Sequence, residues 1–327
     1  MAIMSGDNAW QPTASLDTLR LRARVLEAMR GFFKQHGVLE VETPVLCAST
    51  TSDPNIDSLR SRVMVNGAAC PVYLHTSPEF AMKRLLAAGS GSIYQICKVF
   101  RDGEAGRLHN PEFTLLEWYR CGYDHHALMD EVEALLKELL DTGPAQRCTY
   151  YEVFHRFTGV DLSHATDAAL HRCAVAHGLA AATRQPADDR DLYLNFLMSH
   201  AVAPRLGHEA PVFVYDFPVT QAAMARIRPG TPPVAERFEL FINGIELANG
   251  YHELNNAGEQ RRRFEQERSR RRFTGQPVFE ADERFLAAIE HGLPDCAGVA
   301  LGVDRLVMLC AGSGDIDDVL AFPVRLA

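Results

Sequence analysis

Hydrophobic positions in the first part of the chain change from helical to strand spacing. From Leu16 onward the apolar residues recur at helical intervals, and Gly37 stands where such a helix would end. Residues 38–44 then alternate between apolar and polar and stop at Pro44, which is typical of a strand. The pattern predicts a first helix followed directly by a strand.

The rest of the chain continues with short strands, hairpins and helices. Predicted strands lie at 72–75, 93–100, 113–119, 211–217 and 299–301. Predicted helices lie at 79–88, 128–140, 259–272 and 303–310, and 149–211 reads as mostly helical with loops. Asn243-Gly244 predicts a hairpin over 237–247. Strands joined by hairpins favour an α+β fold, an antiparallel sheet flanked by helices, over a βαβ series. We expect an N-terminal arm at 1–15 and one domain at 16–327.

Composition narrows the class of protein. Of 327 residues, 47% are hydrophobic and 23% are charged, and the net charge of −9 argues against general affinity for nucleic acid. The eight cysteines form no CxxC pair, so we expect reduced thiols packed as small hydrophobic groups. No signal peptide and no long apolar run are evident, which predicts a cytoplasmic protein.

Two common nucleotide-binding signatures are missing, but another arginine-bearing segment could hold a phosphate. No GxxxxGK[ST] loop occurs, and Gly89-Ser90-Gly91 does not match GxGxxG. Residues 100–120 read FRDGEAGRLHNPEFTLLEWYR, a strand, a polar loop and a returning strand. Arg101 could bind phosphate through two N–H groups, and Phe113 offers a face for a purine. Taken alone, Arg101 is more typical of a surface ion pair, and Phe113 is more typical of the core.

The segment resembles motif 2 of class II aminoacyl-tRNA synthetases, and HNPEFT followed by E-x-Y is similar to the lysyl enzymes. GVALGVDRLVML (298–309) resembles motif 3, and the first helix with Val41-Glu42-Thr43-Pro44 resembles motif 1, the dimer-forming element. FELFINGIELANGYHEL (238–254) resembles the lysyl stretch between motifs 2 and 3. These matches occur in the family's order over nearly the whole chain.

The resemblance implies an ATP site and a two-step reaction. A substrate carboxylate would attack the α-phosphorus of ATP to give an aminoacyl-adenylate, with Arg101 and Arg305 as the catalytic cations. The implied ATP-binding residues are Arg101, Asp102, Gly103, Glu104, His109, Asn110, Phe113, Glu246, Leu247, Gly302 and Arg305. Without motif 2, Arg305 would read as an arginine that caps the last helix.

Two acidic residues of the hairpin are predicted to lie close together. With a two-residue turn at Asn243-Gly244, Phe241 faces Glu246, and Glu239 lies one diagonal step away on the same face. Two neighbouring carboxylates repel each other unless a positive charge lies between them. Mg²⁺ on ATP phosphates would supply it, and the family's magnesium-binding acids fall at these positions. The alternative is a lysine or arginine partner.

A pocket for an amino acid with two ammonium groups needs several carboxylates. The lysyl resemblance implies substrate residues at Ser77, Pro78, Glu79, Glu117, Tyr119, Asn249, Tyr251, Glu253 and Ala300. Gly250 could permit a bulge in the same segment. Singly, each glutamate would read as a solvated surface charge.

Three departures from lysyl-tRNA synthetases refine the expectation. Gly103 stands where motif 2 has the glutamate of R-x-E, so the contact to the adenine amino group would move to Glu104 or to backbone. Ala300 replaces a glycine, and its methyl group would favour (R)-β-lysine over lysine. Residues before Leu16 leave no room for an anticodon-binding domain.

That last departure resembles the truncated lysyl-tRNA synthetase paralogues that modify elongation factor P. It implies a homodimer that transfers lysine or (R)-β-lysine to a lysine of that factor and charges no tRNA. The alternatives are a tRNA-charging fragment, an asparagine-synthetase-like ligase and a non-catalytic regulatory paralogue. The arginine-rich stretch 261–272 is expected to form a solvated helix face whose charges pair with Glu259, Glu265 and Glu267.

Overall fold

The computed structural model describes residues 10–179 and 190–327. Most of the expected N-terminal arm, and residues 180–189 of the predicted helical stretch, lie outside the described residues. In chain order the α-helices are α1 (Leu16–Gln35), α2 (Glu79–Ala87), α3 (His125–Leu139), α4 (Tyr150–Thr158), α5 (Asp167–Ala176), α6 (Arg190–Leu197), α7 (Ala257–Phe273), α8 (Glu283–Gly292) and α9 (Val303–Ala311).

The strands complete the inventory of regular elements. They are β1 (Leu39–Glu40), β2 (Leu46–Cys47), β3 (Arg60–Val65), β4 (Ala68–Leu74), β5 (Ile93–Phe100), β6 (Glu112–Cys121), β7 (Gln146–Thr149), β8 (Val212–Pro218), β9 (Ile227–Arg228), β10 (Val234–Ile242), β11 (Ile245–His252) and β12 (Cys296–Gly302). The predicted α+β class is confirmed, and most strand pairs are antiparallel.

Two compact units divide the described chain. Unit 1 contains the residues up to Gly122, Glu138–Leu140 and Leu254–Ala327, and unit 2 contains Tyr123–Lys137 and Asp141–Glu253. In unit 1, strands pair in the order β1-β5-β6-β12, and a separate small sheet has the order β2-β4-β3. In unit 2 the order is β11-β10-β8-β7, with β9 beside β10. The parallel pairs are β1 with β5 and β7 with β8.

Local signals explain where the first helix begins and ends. The Ser15 hydroxyl caps α1 by accepting a hydrogen bond from the Thr18 amide, and Gly37 takes a φ of 66° just beyond the helix. Val25, Met29, Phe32 and Phe33 form the buried face, as their helical spacing predicts. The Thr13 and Ala14 amides bond to the carbonyls of Ala321 and Leu320. The described end of the expected arm is therefore tied to the C-terminal segment of unit 1.

The predicted strand at 38–44 is too long. Only Leu39–Glu40 forms β1, although the Val41 amide still donates to the Tyr94 carbonyl at 2.9 Å. The chain then leaves the sheet, because Pro44 has no N–H to continue a ladder. The sequence patterns also missed β3, β7 and α8.

Each unit buries its own apolar cluster. In unit 1, residues of α2, β5, β6 and β12, among them Met82, Ile93 and Tyr119, pack together. In unit 2, Tyr150 and Phe154 of α4 pack with the helical residues 190–206 and with β8. Among the described residues, no helix combines the length and the apolar composition needed to cross a bilayer.

Candidate functional site

The motif 2 segment of unit 1 forms the predicted hairpin of β5 and β6. Phe100 faces Glu112 at its open end, and the Arg101 amide donates to the Pro111 carbonyl at 2.9 Å. The Arg101 guanidinium carbon lies 5.1 Å from the centre of the Phe113 ring. The ring therefore supports the guanidinium by a cation–π contact, and about a quarter of the Arg101 side chain remains exposed. This placement fits a cation that can receive an anionic ligand.

The loop of this hairpin explains the glycine that departs from the family pattern. Gly103 has a φ of 77°, a left-handed conformation that a glutamate would adopt only under strain. No atom lies within 4 Å of a Cβ built at this position, so the constraint is the backbone conformation and not space. The Asp102 carboxylate accepts from the Gly103 amide, and Glu104 Oε1 lies 3.8 Å from Arg101 Nη1. Glu104 is thus the carboxylate that the loop presents beside Arg101.

Arg305 of motif 3 is attached to the same loop. Its Nη2 lies 2.7 Å from His109 Nε2, and its Nε donates to the Leu108 carbonyl at 3.3 Å. Gly302 is the N-cap of α9, and a Cβ there would meet the Arg305 side chain at 3.7 Å. Arg305 therefore does not simply cap its own helix, because its guanidinium reaches a different segment of unit 1.

Two other residues of these motifs hold the framework together. Asp304 is 2% exposed, receives the Thr114 amide at 2.7 Å and pairs with Arg22 of α1 at 2.5 Å. These bonds join α1, β6 and α9. Asn110, predicted to bind ATP, is buried, donates to the Glu112 carbonyl and accepts from the Val324 amide. Its amide group already has protein partners in this arrangement.

Three predicted substrate-binding residues of unit 1, Glu117, Tyr119 and Ala300, share one face of the sheet. Glu117 of β6 lies opposite Ala300 of β12, and Tyr119 lies opposite Gly298. Because directly opposed residues point to the same face, the Ala300 methyl group lies beside the Glu117 side chain. Glu117 is 3% exposed, and the Tyr119 hydroxyl donates to its Oε1 at 2.7 Å. The structure thus brings together the carboxylate, the hydroxyl and the methyl group that the sequence assigned to one pocket.

Glu79 occupies the first turn of α2. The preceding Ser77 accepts from the Glu79 amide, and Pro78 is the N-cap residue. Lys83 lies one turn further and donates to Glu79 Oε1 at 2.6 Å. The Lys83 side chain is 2% exposed, so Glu79 is held by a buried ammonium group. Sequence reasoning missed Lys83, although the spacing of four residues from Glu79 could have indicated the pair.

In unit 2, the Asn243-Gly244 turn forms as predicted. Both residues have positive φ, 52° and 73°, which matches a type I′ turn, and Phe241 lies opposite Glu246. The register then shifts between Leu240 and Phe241, so that Glu239 lies opposite Asn249. The bulge predicted at Gly250 is wrong: the irregularity falls beside the turn, and Gly250 pairs regularly with Phe238. Leu247 takes up the extra position and is buried.

Glu239 has the arginine partner that was the alternative to a metal ion. Arg237 Nη2 donates to Glu239 Oε1 at 2.5 Å. Burial nevertheless raises the pKa of Glu239 to about 7; Arg237 opposes this rise and the Glu246 charge adds to it. One guanidinium therefore does not balance this pair of acids, and the donor set fits a further cation such as Mg²⁺.

Arg237 also contacts two other predicted residues of this hairpin, Asn249 and Tyr251. Its Nε donates to Asn249 Oδ1 at 3.3 Å, and its guanidinium carbon lies 5.8 Å from the centre of the Tyr251 ring. Glu253 is 1% exposed, and its carbonyl accepts from Arg226 Nε at 2.7 Å. The sequence did not single out Arg237, but its alternation with Glu239 along β10 places both on one face.

The arginine-rich helix is α7, and the prediction for it is partly wrong. Arg262 and Arg263 pair with Glu259, and Arg272 pairs with Glu265, as predicted for a solvated face. Arg271, however, is 0% exposed. Its guanidinium donates to the carbonyls of residues 52, 53, 56 and 277 and pairs with the carboxylate of residue 57. It fixes this loop, which lies far away in sequence.

Glu267 interacts electrostatically with Arg263 and Arg271, but it departs from the predicted solvated face. Its carboxylate accepts a hydrogen bond from the Ser52 hydroxyl, and burial raises the pKa of Glu267 to about 7. The buried side of α7 therefore anchors the 52–57 loop through Glu267 as well as through Arg271.

Comparison with known proteins agrees with this geometry. The sequence model of the family "tRNA synthetases class II (D, K and N)" matches residues 10–325. A protein of Vibrio vulnificus named "Elongation factor P--(R)-beta-lysine ligase" is 50% identical over 323 residues, which are 97% of this chain and 99% of that protein. A protein of the same name from Pectobacterium carotovorum is 48% identical over 327 residues, 99% of this chain and 100% of its own length. The chain belongs to the class II tRNA synthetase family that includes the D, K and N enzymes.

Proposed function

We propose that this protein is an ATP-dependent ligase that activates (R)-β-lysine, or lysine, and transfers it to a lysine of elongation factor P. The observation that carries the proposal is the buried Glu117 with Ala300 directly opposite on the same face. The Glu117 carboxylate suits a substrate with an ammonium group. The methyl group of Ala300 distinguishes this position from the glycine of lysyl-tRNA synthetases. The names of near-full-length relatives support the same reaction.

In the first step the substrate carboxylate attacks the α-phosphorus of ATP and pyrophosphate leaves. The nucleophile is already ionised, so the step requires no general base. Arg101, supported on Phe113, and Arg305, attached to His109, would bind phosphate oxygens whose charge grows in the transition state. The remaining proposed ATP contacts are Asp102, Gly103, Glu104, Asn110, Leu247 and Gly302. Glu104 takes the adenine contact because Gly103 cannot.

The substrate ammonium groups are assigned to the carboxylates at Glu79, Glu117 and Glu253. Tyr119 would hold Glu117 in place through its hydroxyl. The other proposed substrate contacts are Ser77, Pro78, Asn249, Tyr251 and Ala300. Lys83 already neutralises part of the charge at Glu79 before the substrate arrives.

Glu239 and Glu246 are the proposed ligands of Mg²⁺. The ion would neutralise phosphate charge and orient the leaving pyrophosphate. The chain's own contribution is the pair of acids, of which Glu239 is fixed by Arg237.

In the second step the ε-amine of the acceptor lysine attacks the acyl carbon and AMP leaves. The amine must lose its proton before or during the attack, so the rate should rise with pH until that amine is neutral.

The test combines two measurements on the full-length protein. We expect ATP–pyrophosphate exchange that depends on (R)-β-lysine or lysine, and mass spectrometry should show elongation factor P gaining one lysyl-type acyl group at a single lysine. Efficient acylation of tRNA-Lys with an unmodified factor would support the tRNA-charging alternative. Exchange with aspartate alone would support the asparagine-synthetase-like alternative, and no exchange would support a regulatory paralogue.

We also propose a cytoplasmic homodimer whose subunits pair through α1 and the following segment of motif 1, with residues 16–327 forming one catalytic domain. An isologous contact of this kind places the same patches of both subunits against each other. Sedimentation at micromolar concentration should show the dimer, and a monomer alone at that concentration would contradict the assignment.

A further inference from the structure

A cluster of histidines and carboxylates lies in unit 2, in a part of the unit that the proposed reaction does not use. Among the described residues, His125, Glu236 and His252 form one group whose potential metal-binding atoms all lie within 4.8 Å of one another. His125 begins α3, Glu236 belongs to β10 and His252 ends β11. Three separate elements of one unit thus converge on this point.

His125 is the unusual member of the cluster. Its ring is 1% exposed, and neither ring nitrogen has a hydrogen-bond partner among the described residues. Its Nε2 lies 3.6 Å from Asp216 Oδ1, which is too long for a hydrogen bond. Buried imidazole nitrogens without a partner are costly in a folded protein, so this ring needs an explanation. A bound cation that accepts a lone pair from a ring nitrogen would explain why the nitrogen has no hydrogen-bond partner.

The carboxylates beside the cluster carry a surplus of negative charge. Asp216 and Glu236 contribute two charges, and Arg228, which lies 2.5 Å from Asp216 and 3.5 Å from Glu236, returns one. One guanidinium therefore serves two carboxylates at this point.

We propose that His125, Glu236 and His252, with Asp216 as a fourth ligand, bind one divalent transition-metal ion of the Zn²⁺ type. Two imidazoles with carboxylates form a donor set that suits Zn²⁺, whereas Mg²⁺ prefers oxygen alone. This site is distinct from the proposed Mg²⁺ site at Glu239 and Glu246. His252 and Glu236 lie on the faces of β11 and β10 opposite to Asn249, Tyr251, Arg237 and Glu239.

One local rearrangement accompanies binding. His252 Nδ1 now lies 2.6 Å from Glu236 Oε2, whereas two ligands of a tetrahedral Zn²⁺ are roughly 3.3 Å apart. Rotation of the Glu236 carboxylate would open this distance, and the metal would replace the hydrogen bond between the two groups. The bound ion would then tie α3 to the hairpin of β10 and β11. Its role is to stiffen the strands that carry the proposed substrate residues on their other face.

The test uses the full-length protein without a histidine tag, stripped with chelator and dialysed against Zn²⁺ in the presence of excess Mg²⁺. We expect one Zn²⁺ per chain that is lost in His125→Phe. The matched control is His126→Phe, because the centre of the His126 ring lies 4.1 Å from that of His125 but His126 does not belong to the cluster. It should keep the ion. Equal binding by wild type and His125→Phe, or no binding by wild type, would overturn the proposal.

A second variant and a direct measurement guard against misfolding. Glu236→Gln keeps the shape of the side chain and should weaken Zn²⁺ binding roughly 100-fold, while circular dichroism stays unchanged. Zn²⁺ should raise the melting temperature of wild type and His126→Phe only, since binding to the folded state stabilises it. X-ray absorption of loaded wild type should show nitrogen and oxygen neighbours, and a sulfur shell would assign the metal to cysteines and reject the site.

Discussion

The proposed reaction groups of unit 1 and unit 2 differ in how they keep their charge. In unit 1, Arg101 and Arg305 rest on an aromatic ring, a histidine and backbone carbonyls. In unit 2, Glu239 is buried next to another acid, and its pKa rises to about 7 in spite of Arg237. Arginine stays charged in almost any environment, whereas a buried carboxylate does so only if its surroundings compensate for lost water.

The difference assigns separate tasks to the two regions. The arginines of unit 1 are prepared for an anion whether or not a ligand is present. The negative charge of Glu239 is unfavourable until a cation neutralises it. Phosphate binding should therefore depend little on pH in the neutral range, whereas cation binding should depend on it strongly.

The largest expected effect is on ATP–pyrophosphate exchange, and it comes from removing the guanidinium of Arg101 in unit 1. Arg101→Ala should lower ATP–pyrophosphate exchange by roughly 10² to 10³, because a charge contact made mainly in the transition state contributes about 3–4 kcal/mol. The measurement is the exchange rate at saturating ATP and amino acid. Lys98→Ala is the matched control, since Lys98 is half exposed and pairs loosely with Glu112 at 3.6 Å. Near-normal exchange in Arg101→Ala would remove the phosphate role.

A smaller effect, on the preference between two substrates, is expected at Ala300 of unit 1. Ala300→Gly removes the methyl group beside Glu117 and should improve the relative use of lysine over (R)-β-lysine by roughly 10 to 200-fold. The ratio of kcat/KM for the two substrates measures it. Ala297→Gly is the control, because Ala297 is buried and points to the other face of β12. If both variants change stability alike and neither changes the ratio, Ala300 only fills space.

The smallest expected effect concerns the pH dependence of folding stability that Glu239 of unit 2 contributes. The folded pKa of Glu239, about 7, lies above the ordinary value of 4.5. The folded state therefore holds this proton longer than the unfolded chain does. Stability contributed at this site should be complete below about pH 4.5 and decline until about pH 7. The loss is on the order of 3 kcal/mol, since the pKa rises from 4.5 to about 7 and one pKa unit corresponds to about 1.4 kcal/mol.

Glu239→Gln should remove this part of the pH dependence, which denaturant unfolding at pH 5 and pH 8 would measure. Affinity for Mg²⁺–ATP in wild type should fall as the pH drops below about 7, because protonation removes the ligand charge. Glu267→Gln in unit 1 is the control, since burial also raises the pKa of Glu267 to about 7. It should alter the stability profile and leave Mg²⁺–ATP affinity unchanged. If Glu267→Gln changed the Mg²⁺–ATP affinity and Glu239→Gln left it unchanged, Glu239 would not be a ligand of the cation.

The parts of the fold that sequence predicted are those set by neighbours along the chain. Helix α1 follows from apolar spacing and Ser15, and the β10–β11 turn follows from Asn243-Gly244. The bulge at Leu247 was missed, because it depends on the packing of both strands and not on a residue that requires it. Several motif residues share a face because strand pairing puts Glu117 opposite Ala300, which a hairpin pattern alone does not specify.

The residues that sequence reasoning missed have partners far away in the chain. Arg271 looked like one of many helix-surface arginines, yet its partners begin at Ser52, more than two hundred positions earlier. In the same way, His125 is a candidate metal ligand only because Glu236 and His252, which are distant in the chain, lie beside it. Periodicity cannot reveal such pairs, because burial of a charged group depends on which distant segment covers it.

The left-handed backbone at Gly103 has a consequence for how this sequence can vary. Restoring the family's glutamate there by a single substitution would put a side chain on a backbone that disfavours it, and the neighbouring Glu104 would still lie beside Arg101. The family's arrangement is therefore accessible only if the loop also changes conformation. Substitutions at 103 and 104 should be inherited together, and glycine at the first position should coincide with a carboxylate at the second.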